Sequence, residues 1–274
     1  MAHTPEGHRP NKRLGQNFMT DASDLEAIAS SLTIEPGERV LEIGPGAGAL
    51  TRLLLGKGAK VLAVEKDRFL AALLKKKFPE PSLEVVEGDI LEQDPSALFP
   101  GASALRVFGN IPYNITSPIL FWLIDHRRLI REAALTVQWE VAQRLTGKPG
   151  TKMWGALSVS AGAYADISVL RKIPRGHFSP APKVDSALIR LVFLEVPRYP
   201  EAEGELFHLL VAKAFQKRRK TLLNALERAH PDLGRALLSE VFRELGFEPR
   251  QRPETLSIQD WCRLTARLSR SPKK

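Results

Sequence analysis

The chain has 274 residues and carries 40 Lys+Arg against 31 Asp+Glu, a net charge of +9; this is enough chain for one full α/β domain and a smaller one, and a charge that points to a polyanion, RNA or DNA first, over a merely solvated surface. A single cysteine, Cys262, excludes an internal disulfide framework and a multi-cysteine metal site, and no metal is expected. No apolar run is long enough to span a bilayer and the N-terminus lacks the apolar core of a signal peptide, so a cytoplasmic protein with no membrane partner is expected.

In chain order, residues 1–20 read as a flexible basic arm, and Asp24 to Leu32 as a short amphipathic helix. From Arg39 to Gln138 strands near 39–43, 60–64, 83–87, 104–108 and 133–138 alternate with helices. That alternation predicts an α/β fold with a parallel, doubly wound sheet. A helix is expected over 155–165, then β-rich runs at 167–173 and 187–193 around the Pro-rich segment 174–182. Pro197-Arg198-Tyr199-Pro200 marks a boundary. Beyond it the periods are helical only, with helices near 204–229, 232–245 and 257–269. The domain reading is an arm (1–20), a catalytic domain (21–196) and a helical RNA-binding domain (201–274).

Four residues are the most informative. Asn110-Ile111-Pro112-Tyr113 follow the apolar run Ala104 to Phe108 and Gly109. An Asn oxygen and a backbone carbonyl can accept from an exocyclic amine, and the Tyr ring can stack on the base. Pro112 fixes its own φ and biases Ile111 to extended backbone, which aims the carbonyls. Alone, such a tetrapeptide is more often a turn; the rest of the pattern argues for a site.

Val40 to Gly48 runs from an aliphatic strand into Gly44-Pro45-Gly46-Ala47-Gly48 and then into a helical pattern. This is the opening of a βαβ unit that binds a nucleoside-containing cofactor, with Gly44 and Gly46 admitting the ligand close to the backbone. The spacing is Gly-x-Gly-x-Gly, not that of dinucleotide enzymes, and a lone glycine loop is weak evidence. Two acids strengthen it. Glu65 ends the next strand 21 residues after Gly44, the distance at which an acid meets ribose hydroxyls. Asp89 ends the third strand, where a carboxylate can accept from an adenine amine. Each acid alone reads as a solvated strand-end charge; three strand ends each bearing a suitable group do not.

With these motifs in view, the chain resembles the class I S-adenosylmethionine-dependent methyltransferases, and among them the KsgA family of small-subunit rRNA adenine-N6 dimethyltransferases. The resemblance is carried by Lys12 to Met19, Glu42 to Gly48, Gly109 to Ser117 and His177-Phe178-Ser179-Pro180-Ala181-Pro182-Lys183-Val184-Asp185-Ser186. It implies a Rossmann-like sheet, mostly parallel with one antiparallel strand from a closing hairpin, and a small all-helical C-terminal domain. It implies S-adenosylmethionine as cofactor, bound by Asn17, the backbone of Met19, Gly44, Gly46, Glu65 and Asp89, with Asn110 between cofactor and substrate. The family often has Leu where Met19 stands, but only backbone and an apolar surface are needed there. Phe178 would stack on the target base opposite Tyr113, unless it is core packing beside the hairpin.

The expected partner is small-subunit ribosomal RNA in a partly assembled 30S particle, acted on by a monomer. The implied targets are two adjacent adenosines in a hairpin near the 3′ end of 16S rRNA. Phosphate contacts are expected from Arg9, Lys12 and Arg13, and from Lys213, Lys217, Arg218, Arg219 and Lys220, five cations in eight residues around Phe215. Trp139 and Trp154 read as packing residues, and His177 as unnecessary to a mechanism without a base. Two alternatives stand beside this reading: a large-subunit rRNA methyltransferase of the macrolide-resistance type, and an assembly factor whose binding matters more than catalysis.

Overall fold

The computed structural model describes residues 10–11, 14–78, 81–101, 104–216, 220–229 and 233–270. The elements up to the middle of the chain are β1 (Phe18–Met19), α1 (Ala22–Ala29), β2 (Arg39–Ile43), α2 (Ala49–Gly56), β3 (Lys60–Glu65), α3 (Arg68–Lys77), β4 (Leu83–Glu87), α4 (Pro95–Leu98), β5 (Leu105–Asn110) and α5 (Thr116–Asp125). They continue with β6 (Ile130–Gln138), α6 (Trp139–Leu145), α7 (Ala156–Gly162), β7 (Ala165–Ile173), β8 (Phe178–Ser179), β9 (Ser186–Phe193), α8 (Glu205–Phe215), α9 (Leu222–Ala229), α10 (Arg235–Leu245) and α11 (Ile258–Ser269). The chain forms two compact units. One takes residues up to 142 together with 166–193; the other takes 143–165 and the chain from 194 onward.

In the first unit seven strands form one sheet in the order β4-β3-β2-β5-β6-β9-β7. The central strands pair in parallel, and β9 runs antiparallel to β6. The near-continuous apolar sequences of β2 and β3 fit strands covered on both faces, and Val40, Leu41, Val61, Leu62 and Ala63 are buried. Leu54 of α2 and Leu74 of α3, both 0% exposed, pack into the core beside them. Asp67 caps α3 by accepting from the Phe69 and Leu70 N–H groups, and Lys75, Lys76 and Lys77 in the last turn complement its dipole.

The register decides where the site lies. Ile43 stands opposite Val64 on β3 and Gly109 on β5. Glu65 stands opposite Glu87, and Asn110 opposite Thr136. The carboxyl ends of β2, β3, β4 and β5 are therefore level, and Gly44, Glu65, Asp89 and Asn110 emerge on one rim. Strand order reverses between β2 and β5, the place where such sheets bind ligands. At the opposite ends of the strands, the buried Glu132 carboxylate is held by Arg106 (3.0 Å) and Arg190 (2.6 Å), a cross-strand network that fixes β5, β6 and β9 against slippage.

Several expectations change. The arm predicted over residues 1–20 is not all coil in its described part: β1 pairs antiparallel with β8, Phe18 opposite Ser179 and Met19 opposite Phe178. Two-residue strands have no period to detect, so neither was visible in sequence. The helix expected over 155–165 stops at Gly162 and gives way to β7 at Ala165. Residues 143–165, assigned by sequence to the catalytic domain, group with the C-terminal helices. The segment expected as one helix near 204–229 is two, α8 and α9, and the Thr221 hydroxyl at the start of α9 accepts from the Asn224 N–H at 3.4 Å.

In the second unit, α8 packs on α7, α9 and α11. Ser257 and Asp260 form a capping box that starts α11, and Trp261 is fully buried on it. Among the described residues, no helix is long and apolar enough to cross a membrane.

Candidate active site and cofactor cavity

A cavity of about 490 Å³ opens at the level strand ends, lined by the Gly44–Ala47 loop, Glu65, Asp89, Asn110 to Ile115 and the segment Leu14 to Thr20. Its size suits a nucleoside-sized ligand with room for a base. The glycine loop is built for close approach. Gly46 has φ +60°, and a Cβ there would lie 3.0 Å from the Phe18 ring. Gly48, at φ +81° ahead of α2, would drive a Cβ to 2.6 Å from Phe78 and 2.8 Å from Leu74.

Glu65 is 6% exposed, and both its oxygens are already oriented. Oε2 accepts from the Gly46 N–H at 3.0 Å and Oε1 from the Asp67 N–H at 2.8 Å. Burial pushes its carboxyl above the usual range, while those two N–H groups pull it back. A carboxylate has lone pairs to spare after two bonds, enough for a pair of hydroxyls. Asp89 accepts from the Leu91 N–H at 3.0 Å and pairs with Lys66 Nζ at 2.6 Å. Partial burial would raise Asp89, but the Lys66 bond and the Leu91 N–H outweigh it and hold the carboxyl low.

Asn110 Nδ2 donates to the Asn17 backbone carbonyl at 2.9 Å. A carbonyl cannot donate, so the amide nitrogen must face Asn17, and the Oδ1 acceptor faces the other way. Ile111 N–H is tied to Thr136 O at 3.2 Å, and Pro112 O accepts from Ile115 N–H and the Thr116 hydroxyl. Tyr113 is half-buried on the cavity wall, its hydroxyl 2.5 Å from Ser186 Oγ. Burial raises the phenol's pKa, and the Ser186 bond opposes the rise.

The segment Leu14–Thr20 is fastened at several points. Gln16 Nε2 donates to Asp67 Oδ2 at 2.9 Å, and the Thr20 N–H and hydroxyl both reach the His177 carbonyl. The His177 ring meets the buried Asp24 carboxylate at 2.6 Å, and Arg171 meets its other oxygen at 2.9 Å. Asp21, Asp24 and His177 cluster closely enough to ligate a cation. Asp24 is answered by Arg171 and His177, however, and Asp21 caps α1 through the Asp24 N–H. The cluster is a fastener for the segment.

Phe178 is 4% exposed and sits in the hydrophobic core, its strand β8 held by β1. The structure packs its ring in that core, and Phe178 is not among the residues that line the cavity. Phe215, the aromatic in the basic run, is likewise buried against Trp261 with ring centroids 5.8 Å apart. Lys213 is partly exposed in the last turn of α8 and Lys220 is exposed. Arg9, Lys12, Arg13, Lys217, Arg218 and Arg219 lie outside the described residues. Trp154 packs as expected, its Nε1 donating to Leu256 O at 2.9 Å.

Sequence reasoning gave no role to Glu42. It is 1% exposed on β2, lines the cavity and accepts from the Thr51 hydroxyl at 2.7 Å. Its signal was a charge inside an otherwise apolar buried strand. Burial pushes its carboxyl up to about 8, the neighbouring Glu65 charge adds to the rise and the Thr51 bonds oppose it. An acid that holds its proton more tightly when folded stabilises the fold fully below the ordinary glutamate range. It loses that contribution as pH rises toward 8. Glu42→Gln is therefore expected to flatten the fall in stability between about pH 5 and 8, leaving the variant the more stable form above pH 8. Thermal melts across that range check it; parallel curves for the two proteins would contradict it.

The family model for ribosomal RNA adenine dimethylase matches residues 7–269. The chain is 42% identical over 263 residues to a ribosomal RNA small subunit methyltransferase A from Geobacter metallireducens, covering 95% of this chain and 96% of the relative. It is 39% identical to the protein of the same name from Pseudomonas aeruginosa, covering 97% of each. Among solved structures it is similar to a dimethyladenosine transferase from Plasmodium falciparum (TM-score 0.74, 27% identity, 90% of this chain and 95% of that one). It is also similar to the 23S rRNA methyltransferase ErmE (TM-score 0.69, 30% identity, 93% of this chain and 100% of that one). With a family match across nearly its whole length and relatives near 40% identity, the chain belongs to the ribosomal RNA adenine dimethylase family.

Proposed function

We propose that the chain transfers methyl groups from S-adenosylmethionine to N6 of two adjacent adenosines near the 3′ end of 16S rRNA, giving N6,N6-dimethyladenosine during small-subunit assembly. The observation that carries this reading is one cavity with Glu65 and Asp89 on one side and Asn110 and Tyr113 on the other. The residues fit the cofactor: a buried, pre-oriented carboxylate faces the cavity where a ribose would lie, and a side chain on Gly46 would crowd the cradle. When bound, S-adenosylmethionine supplies a methyl group activated on a sulfonium centre.

The chain's part is positioning. An adenine amine is a poor nucleophile because its lone pair is delocalised into the ring. Asn110 Oδ1 accepts one of its N–H groups. With Pro112 O already used by the turn, Ile111 O accepts the other. Two acceptors favour a more tetrahedral nitrogen whose lone pair points along the transfer axis. They also stabilise the positive charge that develops there, and the proton leaves to water. Once one methyl is attached, the remaining N–H turns to an acceptor and the second transfer follows. The base must be flipped out or single-stranded to reach this geometry, with Tyr113 stacked on its face.

Asn17 and the Met19 backbone close over the cofactor. Arg9, Lys12, Arg13, Lys213, Lys217, Arg218, Arg219 and Lys220 hold phosphates and do not select the base. The enzyme works as a cytoplasmic monomer on a partly assembled 30S particle, with the unit of residues up to 142 and 166–193 as the catalytic part and the unit of residues 143–165 and 194 onward as the RNA-binding part. The test is labelled methyl transfer to undermethylated small subunits against large-subunit RNA. Label confined to the small subunit is expected; label on the large subunit would move the chain to the resistance type, and tight binding with no label would make it an assembly factor.

A further inference from the structure

The antiparallel strand brings a side chain to the catalytic motif from far along the chain. Ser186 opens β9 opposite Gln138, at the end of β6, while Asn110 stands opposite Thr136 on the other edge of β6. Both therefore lie at the carboxyl end of the parallel strands. Ser186 is fully buried, and its Oγ lies 2.5 Å from the Tyr113 hydroxyl. The Asp185 carbonyl beside it accepts from the Trp139 N–H at 2.9 Å, so the start of β9 is itself held.

We propose that Ser186 is a positioning residue for methyl transfer: its hydroxyl grips the far end of the Tyr113 ring and fixes the plane on which the target adenine stacks. The proposal deepens the functional reading and rests on it. A tyrosine held only at its Cβ can swing about two side-chain torsions, and a bond at the hydroxyl removes that freedom. The reacting amine sits at the edge of the base, so a small tilt of the ring moves it away from Asn110 Oδ1. A displacement near 1 Å at the reacting atom costs roughly a hundredfold in rate.

The competing explanation is that the bond only satisfies a half-buried phenol. Ser186→Ala leaves that hydroxyl without a partner, a stability cost that removal of both polar groups relieves. The experiment uses full-length Ser186→Ala, Tyr113→Phe and the double variant, with saturating labelled S-adenosylmethionine and undermethylated small subunits in single turnover. Melting temperature and cofactor Kd are read alongside. All three variants are expected to be slower by roughly ten- to a hundredfold, to similar degrees, with cofactor Kd unchanged. The double variant is expected to regain the melting temperature lost by Ser186→Ala and still be slow.

A double variant that regains both stability and rate would reduce Ser186 to a structural partner and overturn the proposal. So would Ser186→Ala at the wild-type rate, or losses that multiply in the double variant. A wild-type protein that transfers no methyl group to the small subunits overturns the functional reading as well. Normal methylation by the wild type with Ser186→Ala at full speed overturns this proposal alone.

Discussion

Asn110→Ala is expected to slow methyl transfer by roughly a hundred- to a thousandfold at saturating cofactor and RNA, the loss typical of one transition-state acceptor or donor in a preorganised site. The substitution removes the oxygen that holds the amine and leaves the Asn17 carbonyl without its donor. Particle binding is expected to persist, because the cations proposed to hold phosphates are elsewhere in the chain. Asn110→Asp is expected to do no better than alanine. A carboxylate offers acceptors to the substrate but cannot donate to Asn17 O, and it sets two oxygens against each other at 2.9 Å. Single-turnover transfer with particle co-sedimentation checks both. Normal dimethylation by either variant would refute the mechanism.

Glu65→Gln is expected to weaken S-adenosylmethionine binding by roughly a hundredfold, since each hydrogen bond to a charged group contributes about 1.5–3 kcal/mol. The change looks mild but is not. Both oxygens of Glu65 face backbone N–H groups, those of Gly46 and Asp67. A glutamine amide must point its NH2 at one of them, setting donor against donor, so the variant disturbs the glycine loop as well as the ribose contact. Calorimetric titration with the cofactor checks it. A Kd within a few-fold of wild type would remove Glu65 from the cofactor's contacts.

The parts of the site that could be read in sequence are those where a chemical group ends a strand. Gly44, Glu65, Asp89 and Asn110 each follow an apolar run, and parallel pairing in register then brings them to one rim. The remainder depends on contacts that leave no local trace. Asn17 orients Asn110 across 93 residues through a backbone carbonyl, which any residue type would supply. Ser186 reaches Tyr113 across 73 residues because β9 turns back beside β6. Phe178 could be stacker or core from sequence alone; pairing of β8 with β1 buries it. Residues 143–165 show an apolar helix face, but a face does not name its partner, and here the partner is α8. The helical period expected across 204–229 ends at Phe215 and resumes at Leu222, a break that periodicity alone does not mark.

The most direct measurement is mass spectrometry of the nuclease-released 3′ fragment of small-subunit RNA after incubation with the protein and S-adenosylmethionine. Two adjacent adenosines, each carrying two methyl groups on N6, are the predicted product. Unmodified adenosines there, or methylation at another base atom, would contradict an amine held by Asn110 and Ile111 beside the cofactor cavity.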